Sequence, residues 1–293
     1  MSKVDYLIRS IAHRPRPSRH LCPNCGGREA MLVERKLLVT DLRRCGACKL
    51  MFRTPTDEPA EAAAFYNAGY AQGFTTDTPD PDTLEKLKAL RFAGTEKDYS
   101  YYIDVVRQLG APSGARLFDF GCSWGYGSYQ FAQAGFETLS YEISAPRRQY
   151  GVDNLGVHAV TDFEAWAKSP AATNSQDVFF SAHVLEHVPS PTKIIELARR
   201  VLKPGGLFVA FFPNGSEPFR RVSPAWSKLW GEVHPNFLDE VYLDAAMAGV
   251  PRIYGASPVT IDAEALAALS GDGRQARRID GLDRYEMFVA CRF

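Results

Sequence analysis

Two cysteine pairs and a short histidine-glutamate run carry the most specific chemistry in this 293-residue chain. Cys22-Pro23-Asn24-Cys25 and Cys45-Gly46-Ala47-Cys48 are C-x2-C knuckles, each of which turns two thiolates toward one point. Joined through a strand pair, they make a tetrahedral zinc-ribbon site with Cys22, Cys25, Cys45 and Cys48 as ligands. So short a segment buries too little apolar surface to fold alone, so this zinc is expected to be structural, not catalytic. A redox role is the alternative, and two knuckles at ribbon spacing argue against it. Further on, His183-Val184-Leu185-Glu186-His187 has the H-x-x-E-H spacing of inverzincin metalloproteases, which need it on a helix. Pro189 and Pro191 leave less than two turns for one and the motif sits at a strand's carboxyl end, so a metalloprotease is not expected.

A third stretch, Leu117 to Gly127, reads as an apolar strand running into a glycine-rich turn and then a helix. Small residues at Gly121, Ser123, Gly125 and Gly127 allow sharp turning and close approach of a nucleotide. The dinucleotide pattern G-x-G-x-x-G is not met, because Ser123 and Tyr126 stand where its second and third glycines belong. About twenty residues beyond the turn, the strand Glu137 to Tyr141 ends in Glu142, whose carboxylate suits both hydroxyls of a ribose.

These residues need a scaffold, and the hydrophobic pattern supplies one. Strands are expected over 117–120, 137–141, 157–160, 177–182 and 207–212, with helices between them. Ser144 is placed to cap a helix from about Pro146 to Gly156, and Pro191 opens a helix carrying Ile194, Leu197, Ala198 and Val201 at helical spacing. Segments near 252–254 and 286–291 complete the sheet, the last strand antiparallel. The expected fold is therefore α/β: a Rossmann-like, seven-stranded, mostly parallel sheet with helices on both faces, preceded by a small four-cysteine module.

The expected organisation is a flexible basic arm over 1–20, the ribbon over 21–54, a helical linker or cap over 55–110 and the main domain over 111–293. In the linker, Thr83 to Leu109 reads as a helix broken near Gly94. A lid insertion of about 215–250 interrupts the main domain with Trp226, Trp230, Glu232 and His234, placed after the fifth strand to cover a substrate; ordinary packing is the other reading of its aromatics. Lys+Arg and Asp+Glu both number 34, so no global field draws the chain to nucleic acid or an anionic membrane. Apolar runs such as Leu207 to Phe212 are too short to span a bilayer and no signal-peptide core opens the chain, so the cytoplasm is the expected compartment.

The turn resembles the D-x-G-C-G-x-G signature of class I S-adenosylmethionine methyltransferases: Asp119, Gly121, Cys122 and Gly125 match, and Ser123 replaces a glycine. Val184-Leu185-Glu186-His187-Val188-Pro189 followed by Leu202-Lys203-Pro204-Gly205-Gly206 is similar to the same family. The resemblance implies a cofactor site of Asp119, Gly121, Cys122, Ser123, Gly125, Glu142, Asp162, Phe163 and Ser181. Glu142 would hold the ribose, Asp162 the adenine amino group and Phe163 the ring face; Asp162 as a helix cap is the other reading. The ribbon, the proline-containing exit at Leu50 to Pro55 and the tyrosines Tyr66 and Tyr70 resemble a ribbon-bearing subgroup from sugar and polysaccharide biosynthesis. There Tyr66 and Tyr70 would share a helical face over the pocket or simply pack.

Transfer from a sulfonium is an in-line displacement on an activated donor, so positioning does most of the work. For a weakly acidic acceptor, His187 is the expected general base, oriented by Glu186, with His234 second; the alternative for His187 is a structural role closing the loop. His234-Pro235-Asn236-Phe237 resembles a histidine-plus-aromatic element of related enzymes. The sugar C-methyltransferases have a further C-terminal domain, and this chain ends soon after the core, so that particular reaction is not expected. The expected function is methyl transfer to a small-molecule or saccharide acceptor, with S-adenosylmethionine and structural zinc as cofactors. A non-catalytic binding module and a nucleotide-dependent oxidoreductase are the competing readings.

Overall fold

The computed structural model describes residues 3–58, 61, 77–270 and 276–293. Tyr66 and Tyr70, and hence their expected place over the pocket, lie outside the described residues. In chain order the elements are helix α1 (Lys3–His13); strands β1 (Ala30–Lys36), β2 (Thr40–Cys45) and β3 (Met51–Thr54); helices α2 (Pro81–Ala89) and α3 (Ser100–Gln108); then β4 (Arg116–Phe120), α4 (Tyr126–Gln133), β5 (Glu137–Tyr141), α5 (Ala145–Leu155), α6 (Phe163–Lys168), β6 (Gln176–Ala182), α7 (Pro191–Val201) and β7 (Leu202–Pro213). The chain closes with α8 (Glu217–Val222), β8 (Asn236–Phe237), α9 (Glu240–Ala246), β9 (Arg252–Ala256), α10 (Ala263–Leu269), β10 (Ala276–Arg278) and β11 (Glu286–Arg292).

Among the described residues, seven strands form the main sheet in the order β10-β9-β11-β7-β6-β4-β5. Its pairs are parallel except where β11 runs antiparallel between β7 and β9. Strand alternation sorts the core onto two faces. Phe118, Phe179, Phe208 and Phe212 join one cluster with Ile195 and Val201 of α7. Leu117, Val178, Phe180 and Phe211 join the other with Val106 of α3 and Phe131 of α4. Both faces are covered, as a parallel sheet requires.

Several details depart from the sequence reading. The strand expected at Val157 to Val160 shrinks to one parallel bridge, Ser140 with Ala159, and the seventh strand is instead β10 at the far edge. By contrast, the break expected near Gly94 in the helix over Thr83 to Leu109 is present: Arg91, Phe92 and Gly94 all take positive φ there and separate α2 from α3. Ser144 stands at the N-cap of α5, but its side chain makes no capping bond. The basic arm is also helical over most of its length. One side of α1 is buried through Tyr6, Ser10 and His13, and Arg9 pairs with Asp57 at 3.7 Å and Glu232 at 3.5 Å.

The ribbon is an antiparallel sheet, β1-β2-β3-β8, whose fourth strand comes from the insertion. Its residues Cys22, Cys45, Leu50 and Phe52 belong to the same cluster as Phe118 and Phe208, so it shares a core with the main sheet. Trp226 and Trp230 pack there with Leu42, Met51 and Phe237. Of the tryptophans expected to cover a substrate, Trp230 is thus a core residue of the ribbon-insertion contact and Trp226 packs half-buried against it; the Trp226 ring stacks on Phe237 at 6.0 Å, and Trp230 donates to Glu34 at 2.7 Å.

Candidate active site

Strands β4 and β5 deliver their carboxyl ends side by side, which places the turn after Phe120 beside Glu142. Glu142 is 8% exposed; its carboxylate accepts from Ser123 N–H at 3.0 Å and Ser144 N–H at 2.8 Å, fixing its direction. Burial pushes its pKa up, opposed by these N–H groups and by the charges of Arg147 and Arg148. Beyond it opens a cleft of about 460 Å³, with Tyr141, Ile143, Arg148, Asp162 and Phe163 among its lining residues. The Phe163 ring stacks on Tyr141 at 4.0 Å, and Asp162 caps α6 by accepting from Ala165 N–H at 2.9 Å. The capping reading of Asp162 holds, and the same residue still borders the cleft. A buried, oriented carboxylate between Tyr141 and Ile143, which line an aromatic-walled cleft, with the buried Ser123 hydroxyl unpartnered among the described residues, fits an adenosyl group.

Asp119 and Ser181 sit deeper. Asp119 accepts from Ser128 Oγ at 2.6 Å, and Ser128 Oγ in turn accepts from Ser140 Oγ at 2.8 Å, tying α4 to the sheet. Ser181 is fully buried and donates to the Phe120 carbonyl at 3.2 Å. Both support the turn from below. Burial raises Asp119 to about 7, against the Ser128 bond and with help from the Glu142 charge. Because the folded pKa lies above the unfolded one, the folded protein keeps a proton that the unfolded chain sheds above about pH 4. The contribution is therefore present at low pH and fades as pH rises through 7, and the linked loss is on the order of 4 kcal/mol. Asp119→Asn is expected to gain stability over the parent in denaturant melts at pH 8 and to show no gain at pH 4.

Gly121 has φ +89, and a Cβ built on it would stand 2.2 Å from Val184 Cγ2. The glycine lets the turn after β4 touch the loop after β6. Gly121→Ala adds left-handed strain to that overlap and is expected to cost about 3 kcal/mol in urea melts. Ser123, the one departure from the signature, has φ +52, a region glycine enters freely. Ser123→Gly, which keeps the N–H that Glu142 uses, should stabilise the fold by up to about 1 kcal/mol in the same melts.

The loop after β6 carries His183, Glu186 and His187, and it is not helical. Glu186 is fully buried, and among the described residues neither of its oxygens has a hydrogen-bond partner. Three imidazoles face its Oε1: His183 Nδ1 at 3.6 Å, His187 Nε2 at 3.7 Å and His234 Nε2 at 4.0 Å. His187 Nδ1 donates to the Val233 carbonyl at 2.7 Å and His234 Nδ1 to the Leu229 carbonyl at 2.8 Å, which turns both Nε2 atoms inward. The insertion is fastened over this loop by Asn236, whose side chain donates to the Val188 carbonyl at 2.6 Å. Burial and neighbouring charges leave the two sides of the cluster unlike. Burial lowers His187 to about 4, with Glu186 opposing. Packing also works against charging His183, although two-fifths of its side chain faces solvent; the carboxylates of Glu186 and Glu286 outweigh it and hold the ring at about 10.

Sequence reasoning brought Glu186, His187 and His234 together, and the structure does so too. It missed His183 as a partner of Glu286, whose Oε1 lies 2.7 Å from His183 Nε2 and accepts from Tyr102 Oη at 2.7 Å. His183 was visible in the H-x-x-E-H spacing; Glu286, on the last strand, carries no local signal. The four cysteines are unbridged and their sulfur atoms lie within 4.8 Å of one another, close enough to hold one ion. Their first knuckle touches the site loop: Asn24 Oδ1 accepts from Ser190 Oγ at 2.8 Å and from Thr192 N–H at 3.1 Å, at the start of α7.

A mostly parallel sheet that brings a glycine turn, a buried carboxylate and a polar loop to one edge is the arrangement of the Rossmann-like methyltransferase fold. Residues 118–210 match the family model described as a methyltransferase domain. The chain is 35% identical over 113 residues to a ubiquinone biosynthesis O-methyltransferase of Xanthomonas oryzae pv. oryzae, covering 36% of this chain and 45% of that protein. It thus spans less than half the length of that relative. An uncharacterized 37.1 kDa protein of transposon TN4556 from Streptomyces fradiae is 26% identical over 265 residues, 84% of this chain and 75% of that protein. The fold is similar to geranyl diphosphate C-methyltransferase from Streptomyces coelicolor A3(2), with a TM-score of 0.50 and 18% identity over 80% of this chain and 99% of that one. Among the described residues no helix is long and apolar enough to cross a membrane.

Proposed function

We propose that the protein methylates a hydroxyl oxygen of a small molecule, a class that includes saccharides, and that Cys22, Cys25, Cys45 and Cys48 hold a structural zinc. The observation that carries the reading is the contact of Gly121 with Val184, which sets the Glu142 carboxylate and the Glu186 cluster on either side of one junction. S-adenosylmethionine, when bound, supplies an electrophilic methyl group. Glu142 binds its ribose, Ser123 and Ser144 hold that carboxylate in place, and Asp162 and Phe163 border the adenine end. His187 Nε2 is the base available to a hydroxyl proton, and Glu186 stabilises the ring once it is charged. His183, held as a cation between Glu186 and Glu286, orients the acceptor and does not serve as base. An oxygen acceptor is favoured by the ubiquinone biosynthesis O-methyltransferase relative. Six unbridged cysteines suit a reducing compartment such as the cytoplasm.

Calorimetry with S-adenosylmethionine, S-adenosylhomocysteine and NAD tests the cofactor: binding of the two adenosyl ligands and not of NAD is expected. Absence of adenosyl binding would sink the proposal. Metal analysis of protein purified without added zinc should return about one equivalent for the ribbon, and less would count against it.

A further inference from the structure

The Glu186 cluster has a property that methyl transfer does not require. Glu186 Oε1, His187 Nε2 and His234 Nε2 all lie within 4.8 Å of one another. Both rings donate through Nδ1 to backbone carbonyls, so in the neutral rings the inward Nε2 atoms carry lone pairs. Lone pairs of two rings therefore converge on a buried carboxylate that accepts no hydrogen bond among the described residues. An arrangement of this kind is unfavourable without a positive centre among the three atoms. His183 is one source of charge, but it stands 3.6 Å from Oε1 and gives its Nε2 to Glu286 at 2.7 Å, so it does not fill the space between the three atoms.

We infer that Glu186, His187 and His234 form a second metal site, separate from the four cysteines, for a divalent late first-row transition ion. Ligand atoms about 2.1 Å from a shared ion stand roughly 3.0–3.5 Å apart. The Glu186 oxygen is 3.7 Å from His187 Nε2 and 4.0 Å from His234 Nε2, so shifts of a few tenths of an ångström bring each ring to ligand spacing from that oxygen, and the two Nε2 atoms, within 4.8 Å of each other, must close on the same ion as well. Imidazole donors select zinc, cobalt or iron(II) over magnesium or calcium. The carbonyls of Val233 and Leu229 are the outer partners that orient metal-bound histidines. Three protein ligands leave a coordination position for an acceptor oxygen, unlike the closed four-cysteine site. An ion bound here would take His187 Nε2 as a ligand and so replace it as the base of the proposed methyl transfer, and would itself lower the pKa of a bound hydroxyl. Ion binding is measured without S-adenosylmethionine, so its failure and that of the cofactor reading are distinguishable.

The test is titration of the full-length protein, its ribbon metal in place, with Co²⁺ alone, followed by calorimetry and visible absorption. One further equivalent is expected, with d–d bands and without thiolate charge transfer. His234→Gln should weaken that binding by about 100-fold while the ribbon metal content stays the same. His187→Gln should do likewise, and it serves if the first variant's melting curve shows it unfolded. The inference is overturned if no further Co²⁺ binds, if the added ion shows thiolate charge transfer, or if both folded variants bind it as the parent does.

Discussion

Glu142→Ala is expected to remove S-adenosylmethionine binding from the calorimetric range, a loss of at least about 100-fold. In the proposed site the carboxylate would accept charge-assisted hydrogen bonds from two ribose hydroxyls, each worth about 1.5–3 kcal/mol when the acceptor is charged. Its loss also leaves the N–H groups of Ser123 and Ser144 without the acceptor that now orders the turn. Glu142→Gln keeps the length and one acceptor oxygen, so it should retain part of the affinity, with a drop of about 10-fold. If alanine binds S-adenosylmethionine as tightly as the parent, the carboxylate is a structural brace and the cofactor site lies elsewhere.

Cys45→Ser is expected to lower the melting temperature by on the order of 10 °C or more, with loss of one metal per chain. Cys45 is fully buried and shares the cluster that holds Leu50, Phe52 and Phe118, so loosening the knuckle disturbs the main sheet as well as the ribbon. The same variant should reduce turnover at saturating S-adenosylmethionine, because Asn24 of the first knuckle ties down Ser190 and Thr192 just beyond His187. A metal-free variant that melts within a degree or two of the parent would show that the ribbon stands without its ion.

Much of the sheet was legible because β4, β6 and β7 are apolar on both faces and each ends at glycine, proline or a polar loop. Glu142 was legible by distance from the turn, and the cysteine pairs by spacing alone. Other parts had no local signature. The buried side of α1 is Tyr6, Ser10 and His13, while its aliphatic residues Val4, Ile8 and Ile11 face outward, so the usual apolar stripe does not mark the packed face. Strand β10 consists of Ala276, Arg277 and Arg278, and only its pairing with β9 makes it a strand. Trp226 and Trp230 looked like substrate contacts by their place after β7; pairing of the insertion with the ribbon made Trp230 core and packed Trp226 against it. His183 and Glu286 meet only because β11 returns beside β7.

The pairing of β8 with β3 has a consequence for biosynthesis. Met51 and Phe52 wait for Phe237 and Asn236, so the ribbon leaves the ribosome with one edge bare and cannot be finished until most of the polypeptide has emerged. Truncations drawn at the borders of the methyltransferase match, or at the ribbon's last cysteine, would sever partners on both sides of the cut. The four-cysteine module and the main sheet should then mature, and fail, together.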